Sequence, residues 1–221
     1  MMATGIIDVA PALAASARRT SSAGTAPKVR QEAIAMVEED GLAMPAYSYR
    51  STEVRDASGE LLDFGPVSIC APGLTEVPSR LTAVTAVVCT LGPAMEERVS
   101  QLCAGRRLSL AFALDQLGNE LLMYTARRVL LLVRAAARQQ GLSIGDALSP
   151  GGRGLLLDQQ ETVVTLADGA RLGVRVTDQG MLHPVKSRSM VVGVGSGLTA
   201  KPLRRRCEGC SSRGTCGYRA H

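Results

Sequence analysis

The chain has 221 residues, 46% of them hydrophobic, enough to bury a core in one or two compact domains. Its net charge of +5 is uneven: Lys201, Arg204, Arg205, Arg206, Arg213 and Arg219 against Glu208 account for all of it, so residues 1–200 are neutral overall. A neutral body offers no phosphate footprint, and 3% aromatics without Trp offer no base-stacking platform, which excludes nucleic acid as a partner.

No basic segment leads into an apolar one at the start of the chain, so no secretory signal is expected there. The most apolar stretch, 117–137, is interrupted by Glu120, Arg127, Arg128 and Arg134, and it lacks the roughly 18 uncharged apolar residues of a membrane helix. Six cysteines are too few for a disulfide scaffold of this length, so a soluble protein of a reducing cytoplasm is expected.

In chain order, residues 1–26 are rich in Ala, Ser and Thr and read as a flexible leader. Organised structure should begin near Pro27, because Val29, Ala33, Ile34 and Val37 fall at helical spacing and Gly41 stops the pattern. Residues 44–70, with turn residues around Asp56 and Gly59, read as short paired strands. The run 83–89 is largely apolar and rich in β-branched residues and predicts a buried strand ending at Thr90-Leu91-Gly92-Pro93, with Pro93 opening a helix to about Cys103. A longer helix is predicted over 108–140, with Leu114, Leu117, Leu121 and Leu122 as its apolar stripe and Asp115, Asn119 and Glu120 on a solvated face. A helix at about 157–167 and sheet over 172–195, turning at Asp178-Gln179-Gly180, complete the body. Helices and strands come in blocks without a βαβ repeat, which predicts an α+β fold with a mixed or antiparallel sheet packed by helices. Cys89 and Cys103 read as inert core thiols.

Cys207, Cys210 and Cys216 stand among the tail arginines as Cys-x-x-Cys followed by a third cysteine. Two thiolates two residues apart can grip one ion or cluster from a single turn, so residues 200–221 are expected to form a basic, Cys-rich tail holding a 4Fe-4S iron–sulfur cluster or zinc. Three ligands need a fourth. Cys70, placed at a strand end before Ala71-Pro72-Gly73, is favoured over His221, Cys89 and Cys103. The loop Ser149-Pro150-Gly151-Gly152-Arg153-Gly154 is a candidate ligand loop, because glycines expose backbone N–H groups and admit a close approach. His183 has no evident partner and reads as an ordinary turn histidine.

Several segments together resemble one family. Thr90-Leu91-Gly92 after a strand, Leu114-Asp115-x-x-Gly118 in a long helix, Ser149-Pro150-Gly151, Pro184-x-Lys186-Ser187-x-Ser189 before Val191-Val192-Gly193, and the terminal cysteines are similar to stand-alone relatives of the activation domain of cobalamin-dependent methionine synthase. The resemblance spans about residues 28–219 and implies an activation-domain-like body over residues 27–199. In methionine synthase that domain binds S-adenosylmethionine and presents its methyl group to cobalt, so that cobalamin oxidised to Co(II) is reduced and remethylated.

The resemblance therefore implies an accessory factor for a corrinoid-dependent methyltransferase system, supporting reductive reactivation of a corrinoid carried by a partner protein. S-adenosylmethionine is the implied ligand, at Ser149, Pro150, Gly151, Gly152 and Arg153, and Lys186, Ser187 and Ser189 are candidate contacts to the edge of a corrinoid. Ala147 and Gly152 stand where the family carries Arg and Tyr, which leaves Arg153 as the candidate cation of that loop. The alternative is a non-catalytic subunit that binds a corrinoid protein and carries a structural zinc in its tail. A homodimer stays open beside a monomer.

Overall fold

The computed structural model describes residues 1–18, 26–75 and 80–200. In chain order these form β1 (Met2–Ile6), α1 (Ala10–Ala17), α2 (Pro27–Glu39), β2 (Ala46–Glu53), β3 (Asp56–Ser58), β4 (Leu61–Asp63), β5 (Ser68–Cys70) and the single turn α3 (Pro72–Thr75). Then come β6 (Leu81–Thr90), α4 (Ala94–Ala104), α5 (Leu108–Gln139), β7 (Ser143–Leu148), a 3-10 turn (Leu157–Gln159) running into α6 (Gln160–Leu166), a second 3-10 turn (Gly169–Leu172), β8 (Arg175–Val176), β9 (Leu182–His183) and β10 (Ser187–Gly195).

The apolar run of β6 dictates the architecture. In a strand, alternate side chains point to opposite faces, so a run without polar alternation must be covered on both sides. Val87 and Cys89 pack with α2, α4 and α5, whereas Val84, Ala86 and Val88 pack with Leu62, Ile69, Val163 and Val164 from β4, β5 and α6. The central sheet is antiparallel, in the order β1-β2-β6-β10-β7, and β10 alternates in the same way: Met190, Val192 and Val194 face the long helices while Val191 faces α6. This is the expected α+β fold with an antiparallel sheet packed by helices. No helix among the described residues is long and apolar enough to cross a membrane.

The 32 residues of α5, about 48 Å at 1.5 Å per residue, supply most of the helix-side core. Leu114, Leu117, Leu121, Val129 and Val133 are fully buried along one stripe. Gly118 lies in that stripe for a steric reason: a Cβ there would collide with Met95 Sδ and come within 3.1 Å of Lys186 Cε.

Three expectations are corrected. Most of the segment read as a leader is structured, because β1 pairs antiparallel with β2 from Met2 opposite Arg50 to Ile6 opposite Ala46, and α1 buries Leu13 and Ser16. Its small residues serve close packing, as at Gly5, where a Cβ would lie 2.9 Å from the Tyr47 hydroxyl. Glu120 is not on a solvated face: it accepts from the Nη2 of Arg30 at 2.8 and 2.7 Å and from the Ser16 hydroxyl at 3.1 Å, and Arg30 is 4% exposed. A buried guanidinium is tolerable only when its donors are matched in this way. Cys103 is exposed, since α4 turns Met95 and Leu102 inward and the next position faces out.

Candidate functional site

One edge of β10 is only half covered. On one side the whole strand runs along β6, from Ser187 opposite Thr90 onward, but on the other side β7 pairs only with residues from Val191 to Gly195. β7 ends at Leu148, the chain turns away through Ser149 and Pro150, and residues 187–190 are left without a strand on that edge among the described residues. A cleft of about 520 Å³ opens there. Asn119, Leu122 and Met123 of α5 form one wall, Ser149 and Pro150 a second, and Gln160, Leu182 and Val185 close the rim around Ser187, Arg188 and Ser189.

Strand alternation sorts the side chains of β10. Arg188 points to the α5 side, where Nη1 lies 2.7 Å from Met123 Sδ and Nη2 donates to the Ser149 hydroxyl at 3.2 Å. Ser187 and Ser189 point to the α6 side: the Ser187 hydroxyl is 2.9 Å from that of Thr90, and the Ser189 hydroxyl accepts from Gln160 Nε2 at 2.6 Å. Lys186 is only 4% exposed and lies behind the α5 wall. Its Nζ donates to Asp115 Oδ1 at 2.6 Å and to Asn119 Oδ1 at 2.7 Å. The absent side chain of Gly118 gives its stem passage. The ammonium thus orients Asn119 in the cleft wall rather than facing the cleft itself. On the neighbouring strand Cys89 lies opposite Arg188, and burial pushes its thiol up to about 12, with the guanidinium charge a smaller opposing influence.

The structure therefore brings together Ser149, Pro150, Ser187 and Ser189 from the sequence-derived set, with Lys186 supporting the wall. It leaves Gly151, Gly152 and Arg153 exposed and outside the lining. Their loop folds on itself: Gly151 N–H donates to Leu155 O at 3.0 Å and Gly152 N–H to Ser149 O at 2.9 Å, so these donors are used within the turn. Ala147, where the resembled family has Arg, lies in β7 opposite Val192. Arg188, Asn119 and Gln160 were not among the sequence candidates. The one signal for Arg188 was its place between two serines already singled out.

Cys70 ends β5 as expected, partly exposed, and its backbone N–H donates to Gln159 Oε1 at 3.0 Å. The expected metal ligands Cys207, Cys210 and Cys216, and the alternative His221, lie outside the described residues, among which no group of three metal-ligating side chains gathers. His183 has a partner that the sequence did not reveal: its Nδ1 lies 3.5 Å from Glu96 Oε1, and Glu96 Oε2 accepts the N–H of Val185.

No family model matches the chain, and no curated protein does. Among solved structures, the MetH reactivation domain bound to AdoHcy matches with a TM-score of 0.58 at 13% sequence identity, over 82% of this chain and 69% of that one. At that identity the likeness is one of fold. Over that span the chain resembles the methionine synthase activation domain in its α+β fold, as its scattered motifs indicate.

Proposed function

We propose that the chain is an accessory factor for a corrinoid-dependent methyltransferase system, which supports reductive reactivation of the cobalt of a partner corrinoid protein and holds an adenosyl ligand of the AdoHcy and S-adenosylmethionine class in its cleft. The observation that carries this reading is the cleft beside the open half of β10, in a fold shared with a reactivation domain bound to AdoHcy. Its volume falls within the usual range for a ligand of that size, roughly 300–1,000 Å³. Leu122, Met123, Leu182 and Val185 give apolar area for a nucleoside, while Arg188 places a guanidinium in the lining to attract an amino-acid carboxylate. Arg188 thereby takes the role that the sequence alone assigned to Arg153.

Reactivation adds one electron to Co(II), giving Co(I), and a low-potential one-electron donor must supply it. We assign to Cys207, Cys210 and Cys216, with Cys70 as fourth ligand, a 4Fe-4S cluster or zinc; a bound cluster would supply one-electron chemistry in the required range. Cys70 suits that assignment by position, because Gln159 at its N–H is followed by Gln160, whose amide holds Ser189 in the cleft wall. The alternative reading of the chain as a non-catalytic binding subunit requires zinc.

The test is anaerobic. The purified chain is mixed with a Co(II) corrinoid protein and a one-electron reductant, and the cobalt absorption spectrum is followed. A faster loss of the Co(II) bands than with reductant alone is expected. An unchanged rate, with or without AdoHcy or S-adenosylmethionine, overturns the reading. Metal analysis of the same sample separates iron with acid-labile sulfide from zinc, and Cys207→Ser should lose that metal while the body stays folded.

A further inference from the structure

Asn119 supplies the polar group in the α5 wall of the cleft, and the two ends of its carboxamide are not equivalent. An ammonium has no lone pair, so the atom that faces Lys186 Nζ at 2.7 Å must be the amide oxygen, with the amide nitrogen turned away from it. Lys186 is buried and its ammonium is also held by Asp115 Oδ1 at 2.6 Å, so turning the amide over would set donor against donor in a place with little water. Nδ2 donates one proton to Asp115 Oδ2 at 3.4 Å, and its second N–H has no acceptor among the described residues. The serines of the lining follow the same rule. The Ser149 oxygen accepts from Arg188 Nη2 at 3.2 Å and the Ser189 oxygen from Gln160 Nε2 at 2.6 Å, and each hydroxyl keeps its own proton to donate.

A ligand must meet that N–H with an acceptor. Leu122 and Met123 follow Asn119 by three and four residues, so the three side chains share one face of α5, and a flat base laid on the two apolar side chains brings its edge to the amide. A carboxamide free to turn can pair with both the exocyclic amino group and N7 of adenine. Here the oxygen is committed to Lys186, so the amide can serve a ring nitrogen but not the amino group, which is itself a donor. We infer that Asn119 is the specificity-determining residue for the base, donating its second Nδ2–H to a ring nitrogen of adenine. This inference rests on the adenosyl-ligand reading above and adds to it which part of the ligand the α5 wall recognises.

The test is equilibrium titration of the full chain with AdoHcy and with analogues of it in which C–H replaces N1, N3 or N7 of the adenine, alongside Asn119→Asp. That variant keeps an oxygen for Lys186 and removes the donor. At least one analogue should bind native protein about tenfold more weakly than AdoHcy, and Asn119→Asp should bind that analogue and AdoHcy alike, because the lost bond is the one the analogue lacks. A general disturbance of the cleft would weaken both ligands and leave their ratio unchanged. Proton–nitrogen correlation spectra of native protein give a second measurement that needs no variant: saturating AdoHcy should shift the side-chain amide signal of Asn119. If all three analogues match AdoHcy, if their ratio survives in Asn119→Asp, or if the amide signal stays unmoved at saturation, Asn119 does not read the base while the adenosyl site stands. If AdoHcy does not bind a chain that circular dichroism shows to be folded, the adenosyl reading and this inference fall together.

Discussion

The two halves of β10 share one strand and one partner, β6, yet differ in everything else. From Val191 to Gly195 the strand has β7 on its other edge, and Val191, Val192 and Val194 are buried on alternate faces. Among the described residues no strand pairs with 187–190 on that edge, and three of the four carry polar side chains: Ser187, Arg188 and Ser189. The covered half makes the core continuous through the sheet. The uncovered half makes a cleft. In a sheet wrapped on both faces, polar recognition chemistry is affordable where pairing stops, because a side chain there can meet solvent or a ligand instead of an apolar neighbour.

The largest effect should come from placing a charge in the covered half. Val191 is fully buried among Val84, Ala86, Val163 and Val164, and Val191→Asp should cost about 3–5 kcal/mol or prevent folding, read as the midpoint of urea denaturation. Ser187→Asp, four residues earlier on the same face, should cost less than about 1 kcal/mol, because the half-open edge lets the carboxylate reach water. Equal losses at the two positions would erase the distinction.

Gly118→Ala comes next. The added methyl meets Met95 Sδ and the Lys186 stem, and should destabilise by about 1–3 kcal/mol while displacing Asn119 from its bond to the ammonium. Arg188→Ala should weaken AdoHcy by about tenfold or more, since this side chain lines the cleft, with circular dichroism confirming that the variant is folded. The smallest effect on stability, and a clean one in chemistry, concerns the thiols. A thiol raised to about 12 stays protonated at pH 8.5, so Cys89 should resist iodoacetamide in the native chain, while exposed Cys103 reacts. Unfolding removes the burial that raises it, and mass spectrometry should then find Cys89 alkylated as well.

The difference between the halves also explains what could be read from the sequence. β6, α2, α4 and α5 were legible because their signals are local: a largely apolar run rich in β-branched residues, helical spacing, Pro93 before a helix and Gly41 after one. β7 was not, since Ser-Ile-Gly-Asp-Ala-Leu carries no strong pattern and becomes a strand by pairing with β10, more than forty residues away. The N-terminal strand was hidden by small residues that suit both a loose leader and a tight edge. Ser149, Pro150, Ser187 and Ser189, which line the cleft, were singled out by motif. Arg188 was missed because its meaning depends on Met123 and Ser149, 65 and 39 residues distant in the chain. Lys186 was singled out for a direct contact, and only the packing shows it turned toward Asp115 and Asn119.

Amide hydrogen exchange with and without AdoHcy tests the central claim, that the uncovered half of β10 and its flanking wall form the ligand site. Saturating ligand should slow exchange over residues 187–190, over 119–123 of α5 and at Ser149, while Met2–Ile6 at the opposite edge of the sheet is unchanged. Protection confined to other segments, or none at a ligand concentration shown to saturate binding, would contradict the account.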